Sequence, residues 1–130
     1  MSAKSILAQA LVNNAALLAL VGTDGNGNPR IYQSWHDSIR GYPQVTLTRV
    51  SETGSAHGDN GTLVLGTPIQ IDVWISTSAS SSPTPIEDAV KAAVRDDIPQ
   101  HQRSEIRVID DNADVTDKSY RITMQVTIYE

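Results

Sequence analysis

Residues 69–75 alternate without a break: Ile69, Ile71, Val73 and Ile75 fall on one side of an extended chain, Gln70, Asp72 and Trp74 on the other. A period of two with one apolar side predicts a half-buried antiparallel strand. Residues 43–51, from Pro43 through Val45 and Leu47 to Arg49 and Ser51, predict its hairpin partner, with a connection far longer than the two residues a hairpin needs. A second clear strand closes the chain. There Tyr120, Ile122, Met124, Val126 and Ile128 alternate with Arg121, Thr123, Gln125, Thr127 and Tyr129. A short strand is expected over 106–109, followed by Asp110-Asp111-Asn112-Ala113-Asp114, a run that predicts a turn because its side chains bond to nearby backbone amides.

Elsewhere the apolar spacing changes to that of helices. Ser5 is placed to cap a first helix carrying Ile6, Leu7, Ala10 and Leu11, and Asn14 to cap a following piece carrying Leu17, Leu18 and Val21, with Gly22 as its end. Residues 23–29, rich in Gly, Asn and Asp and closed by Pro29, predict a loop. A polar stretch over 76–82 leads to Thr84-Pro85-Ile86-Glu87, the pattern of a capping box with Thr84 at N-cap, Pro85 at N1 and Glu87 at N3. The helix it opens places Ile86, Ala89, Val90, Ala93 and Val94 on one face and stops at Ile98-Pro99. Each sheet and each helix has one face to bury, so the expected fold is α+β: a four-stranded antiparallel sheet with helices packed on one face and long inter-strand loops. A length of 130 residues suits one domain over 1–130, with one core.

Charge and composition narrow the function more than the fold. The formal net charge is -5 and the seven arginines never form a run, which disfavours a surface that grips nucleic acid. The Ala/Leu-rich N-terminus is interrupted by Gln9, Asn13 and Asn14, so it predicts neither a membrane span nor a signal peptide, and synthesis in a cytoplasm is expected. Cysteine is absent, which removes disulfide and thiolate chemistry.

Candidate catalytic and metal-binding patterns fail on spacing. Asp24, Asn26 and Asn28 match the first three ligands of a calcium loop, but positions six and twelve are Pro29 and Trp35 instead of Gly and Glu. Asp110, Asn112 and Asp114 fail in the same way, with Val115 and Arg121 at the decisive positions. His36, His57 and His101 lie outside any His/His or His/Glu spacing that would hold a metal, no Gly-x-Ser-x-Gly turn exposes a nucleophile, and no Lys-Ser/Thr follows Gly25 and Gly27 to make a phosphate cradle. The expectation is no enzyme, no cofactor and no metal. The aromatics carry more: Trp35 lies in a loop and Trp74 on the polar side of its strand, where Trp serves either as an interface anchor or as a residue covered by its own chain.

The order of these elements resembles a known family. An N-terminal Ala/Leu helix ends in Leu20-Val21-Gly22; Arg30-Ile31-Tyr32 follows; Pro43 opens a strand that ends Arg49-Val50-Ser51; then come Gln70-Ile71-Asp72-Val73-Trp74, a helix and a closing strand. This is similar to the small tail-completion proteins of long-tailed phages and related viruses, also called tail-to-head joining or tail-terminator proteins. The resemblance implies a structural virion protein that forms a ring, commonly of six copies, at the top of the tail tube, in the neck. There it would end tail growth and join the tail to the head connector. It implies contacts with further copies of itself, with the tail tube protein and with the head-completion or connector protein, while viral DNA passes through the lumen without specific binding; an acidic wall would let it pass. No membrane partner is implied.

On that reading, residues 51–61 with Arg49 at their base form a contact arm, and the interface candidates are Arg49, Ser51, Glu52, His57, Asp59, Asn60, Trp74 and Trp35. Alternatives are a generic module that adds a strand to its sheet edge and, behind it, a small metal-dependent hydrolase using His36, His57 and nearby carboxylates.

Overall fold

A computed structural model of the chain describes residues 2–35, 37–50, 66–76, 83–114 and 119–129. Among the described residues three α-helices form where apolar residues recur at helical spacing and a side chain or a glycine closes an end. Helix α1 spans Ala3–Val12 and buries Ala3, Leu7, Ala10 and Leu11. Its N-cap is Ser2, whose hydroxyl accepts from the Ser5 amide at 3.1 Å, so the cap lies one turn earlier than the Ser5 expected from sequence. Helix α2, Ala15–Val21, begins as expected: Asn14 accepts from the Leu17 amide at 2.9 Å. It ends at Gly22, where φ is 69° and the amide donates to the Leu18 carbonyl.

Helix α3, Thr84–Asp97, turns Ile86, Ala89, Val90, Ala93 and Val94 inward as its pattern predicts. Its start corrects the expected capping box. Pro83 holds the N-cap position without a side-chain cap bond, and its carbonyl accepts from the Ile86 and Glu87 amides. Thr84 is thus the first helical residue, and Glu87 reaches forward to Lys91 at 3.2 Å instead of back to an N-cap amide. At the other end, the Arg103 guanidinium donates to the Ile98 carbonyl at 2.9 Å, a cation at the negative pole of the helix.

Among the described residues the sheet has five strands and is mixed, where four antiparallel strands were expected: β1 (Ile31–Tyr32), β2 (Gln44–Arg49), β3 (Gly66–Ser76), β4 (Arg107–Asp114) and β5 (Ser119–Tyr129), in the order β1-β2-β3-β5-β4. The added strand is β1, parallel to β2 and paired only through Ile31↔Val45 and Tyr32↔Thr46. The other pairs are antiparallel. The expected hairpin is present, in register from Gln44↔Trp74 to Arg49↔Ile69. Pro68 sits inside β3 without breaking a ladder. Its carbonyl accepts from the Val50 amide, just past the last β2 residue, so its missing donor faces the side where β2 has ended.

Strand β4 runs five residues beyond the expected end at 109, and the segment 110–114 read as a turn is strand. The eleven residues of β5 offer it a ladder that local turn propensity does not outweigh.

All three helices lie over one face of this sheet. Leu7, Leu11, Leu17, Val90 and Val94 join Val45, Leu47, Ile69, Ile71, Val73, Met124, Val126 and Ile128 in a single buried cluster. Fully burying each such side chain stabilises the fold by about 1.5–3 kcal/mol. Helices α1 and α2 meet at 85°, and among the described residues no single helix is long and apolar enough to cross a membrane.

Candidate functional site

With one face under the helices, β3 and β5 direct their alternate residues to the other. Register then sets them in rows across three strands. Gln44, Trp74 and Arg121 form one row, Thr46, Asp72 and Thr123 the next, and Thr48, Gln70 and Gln125 a third. Asp72 is completely buried, and a buried carboxylate needs strong partners. Its Oδ1 accepts from the Thr123 hydroxyl at 2.6 Å, its Oδ2 from the Gln70 amide at 2.9 Å, and the Arg121 guanidinium stands 4.0 Å away. That guanidinium also lies over the Trp74 ring at 5.3 Å, while the indole N–H donates to the Thr46 hydroxyl at 2.9 Å.

Trp74 is 4% exposed, and so is covered by its own chain, while Trp35 stands edge-on to it at 5.5 Å and is 53% exposed. The polar side of the Gln70 strand is therefore as the alternation predicted. Its linkage to Arg121 and Thr123 was missed, although the alternation of both strands places these residues on one face once β3 is paired with β5.

The loop that carries Trp35 is tied to the sheet by two buried or half-buried polar side chains. Gln44 donates to the carbonyls of Asp37 (3.0 Å) and Gly41 (2.9 Å) and accepts from the Asp37 amide. Arg30 donates to the carbonyls of Val21, Arg40 and Tyr42, joining the end of α2 to the same loop. Gly41 has φ 83° and leaves no slack above Arg30, since a Cβ there would lie 3.0 Å from a guanidinium nitrogen.

Asp24, once matched to a calcium loop, is engaged by its own chain. Its carboxylate accepts from the amides of Asn26 and Asn28 and from the Tyr32 hydroxyl at 2.8 Å. The Tyr32 hydrogen bond, followed by the Asn28 amide, holds the Asp24 carboxyl below the usual carboxylate range. Burial, then the Asp24 bond, pushes the Tyr32 phenol up. Arg40 lies over the Tyr32 ring at 4.2 Å.

Of the sequence-predicted interface residues that the structure describes, it brings Trp35 and Trp74 together. Arg49 is exposed at the end of β2, opposite Ile69. Ser51, Glu52, His57, Asp59 and Asn60 lie outside the described residues, as does His36, and His101 is exposed in a short helical turn after α3. Among the described residues no group of three His, Cys, Asp or Glu side chains is placed to hold a metal ion.

The family described as Tail completion protein gp17 matches residues 5–130. The chain belongs to this family. A tail completion protein is a structural component of a viral tail, and the resemblance in element order rests on residues whose placement is now visible. Arg30 locks the loop before β2, Tyr32 holds the Asp24 turn before β1, and Gln70, Asp72 and Trp74 form the centre of the polar sheet face. The fold of this tail completion protein is also that of a solved chain from a structure titled "Virion of native gene transfer agent (GTA) particle", with a TM-score of 0.67, 17% identity, and coverage of 98% of this chain and 93% of that one. No curated protein matches the sequence.

Proposed function

We propose that this tail completion protein forms a closed ring at the top of the tail tube, ends tube growth there and joins the tail to the head connector. The observation that carries this reading is the family match over residues 5–130. The shared buried cluster of helices and sheet supports one domain over the whole chain, acting as a rigid unit in the ring. The partners are further copies of the chain, six in the ring, together with the tail tube protein and the head-completion or connector protein. The net charge of -5 suits a conduit through which viral DNA passes without being held. The protein is a virion constituent of the neck, assembled in the host cytoplasm, and acts without catalysis.

The contact arm is residues 51–61, with Arg49 at its base. Trp35, backed by Trp74, offers a second anchor, since a half-exposed indole on a rigid support is the kind of residue that dominates interfaces.

Deleting the gene from the virus and viewing the particles by electron microscopy tests the reading. Full capsids with unattached or overlong tails are expected. Joined particles with tails of normal length would overturn it.

A further inference from the structure

The two edges of the sheet present unlike surfaces. Beside β1, a mostly apolar open groove of about 520 Å³ is lined by Ala8, Val12, Pro29, Ile31 and Tyr32 together with three polar residues, with Val12 39% exposed. At the opposite edge, a register shift between Val108 and Asp110 leaves Val108 39% and Ile109 46% exposed. Bulges at sheet edges re-aim side chains in this way. One edge is an apolar recess and the other an apolar ridge.

We propose that these are the two halves of one contact between copies: Val108 and Ile109 of one copy seat in the α1–β1 groove of the next. This rests on the ring reading and names the surface that closes the ring. Charge agrees with the pairing. The groove is flanked by Lys4, whose Nζ donates to the Gln33 carbonyl at 2.8 Å, and by Arg40 over Tyr32, whereas β4 carries Asp110, Asp111 and Asp114 against the one Arg107. Asp24, bonded to the groove residue Tyr32, is held by that hydroxyl and by backbone amides.

Topology agrees as well. Two different patches on opposite edges can meet only head to tail, and a head-to-tail contact that closes is a ring. The bulge also protects β4 from plain strand addition, which disfavours the generic edge-strand module and a β4-to-β4 dimer.

The chain has no cysteine, so V12C and V108C introduce the only thiols. Val12 lines the groove beside β1, and β1 and β4 lie four strand spacings apart, about 19 Å; a link within one copy would in any case give a cross-linked monomer and no ladder. Particles assembled with the V12C/V108C double variant and treated with that reagent are expected to give a ladder of linked copies up to the full ring on denaturing gels, and each single variant no ladder. In parallel, D110K/D111K is expected to lower the yield of joined particles about tenfold or more, and adding K4E to restore it.

Joined particles without a ladder from the double variant would overturn this contact and leave tail completion intact. Dimers from V108C alone would show a symmetric contact and overturn it too. Should the double variant fail to enter particles, the charge swap decides, and failure of K4E to restore joining counts against the proposal.

Discussion

Asp72 is the residue on which the polar sheet face depends. Its carboxylate is fully buried in the middle strand, and the hydroxyl of Thr123 supplies its shortest hydrogen bond. Thr123→Val removes that bond while keeping the shape, so a charged acceptor is left short of a partner where water does not reach. A loss of about 2 kcal/mol is expected, as a lowered denaturant midpoint with an unchanged slope. Lys91→Ala, which breaks the partly exposed pair with Glu87, should change stability by only about 0.3–0.5 kcal/mol. An equal effect of the two would mean that burial does not govern Asp72.

The Asp24–Tyr32 bond gives a second residue-level expectation. Asp24 is depressed in the folded protein, so its contribution is present above the unfolded carboxyl pKa and lost as pH falls through the folded one. Tyr32 is raised, so its contribution is present below the ordinary phenol value and lost as pH rises through the folded one. Unfolding midpoints followed across pH should show a shallower acid limb for Asp24→Asn than for the parent.

Among the elements, those with a clear period were legible and those set by their neighbours were not. Residues 69–75 and 120–129 alternate because one face of each strand meets the helices, and α3 shows its buried stripe for the same reason. Strand β1 has two residues and no period; it exists because Arg30 and Gln44 fix the loop that brings Ile31 beside Val45. The aspartates of 110–114 signal a turn locally, yet the chain there continues pairing with β5. The polar face was legible as a face. Its network was not, because alternation gives the side of a strand and only register gives the neighbour across it.

Gly41 tests the lock on the loop. Gly41→Ala places a Cβ against Arg30 at a φ of 83° that L residues disfavour, so a loss of about 1–2 kcal/mol is expected in thermal or denaturant unfolding. A neutral result would show that the Arg30 clasp yields without penalty.

At the scale of the molecule, one sheet face is occupied by the helices and the opposite face is tied together by its own polar groups, which leaves edges and loops to make contacts. The connection between β2 and β3 is the largest such loop in sequence, and eleven residues over 51–61 replace what two could do. Shortening 51–61 to Asn-Gly should leave the fold in place, because the β2–β3 ladder from Gln44↔Trp74 to Arg49↔Ile69 lies outside it and closure entropy changes slowly with loop length. Circular dichroism and thermal unfolding are then expected to stay close to the parent, while joining fails. Complementation of the knockout virus, scored as infectious particles and as tails attached to heads, reads the second half. Normal yield from a folded, shortened protein would remove residues 51–61 as the contact arm. The connector contact would then fall to the segments 76–83 and 24–28, with the edge-to-groove contact between copies untouched.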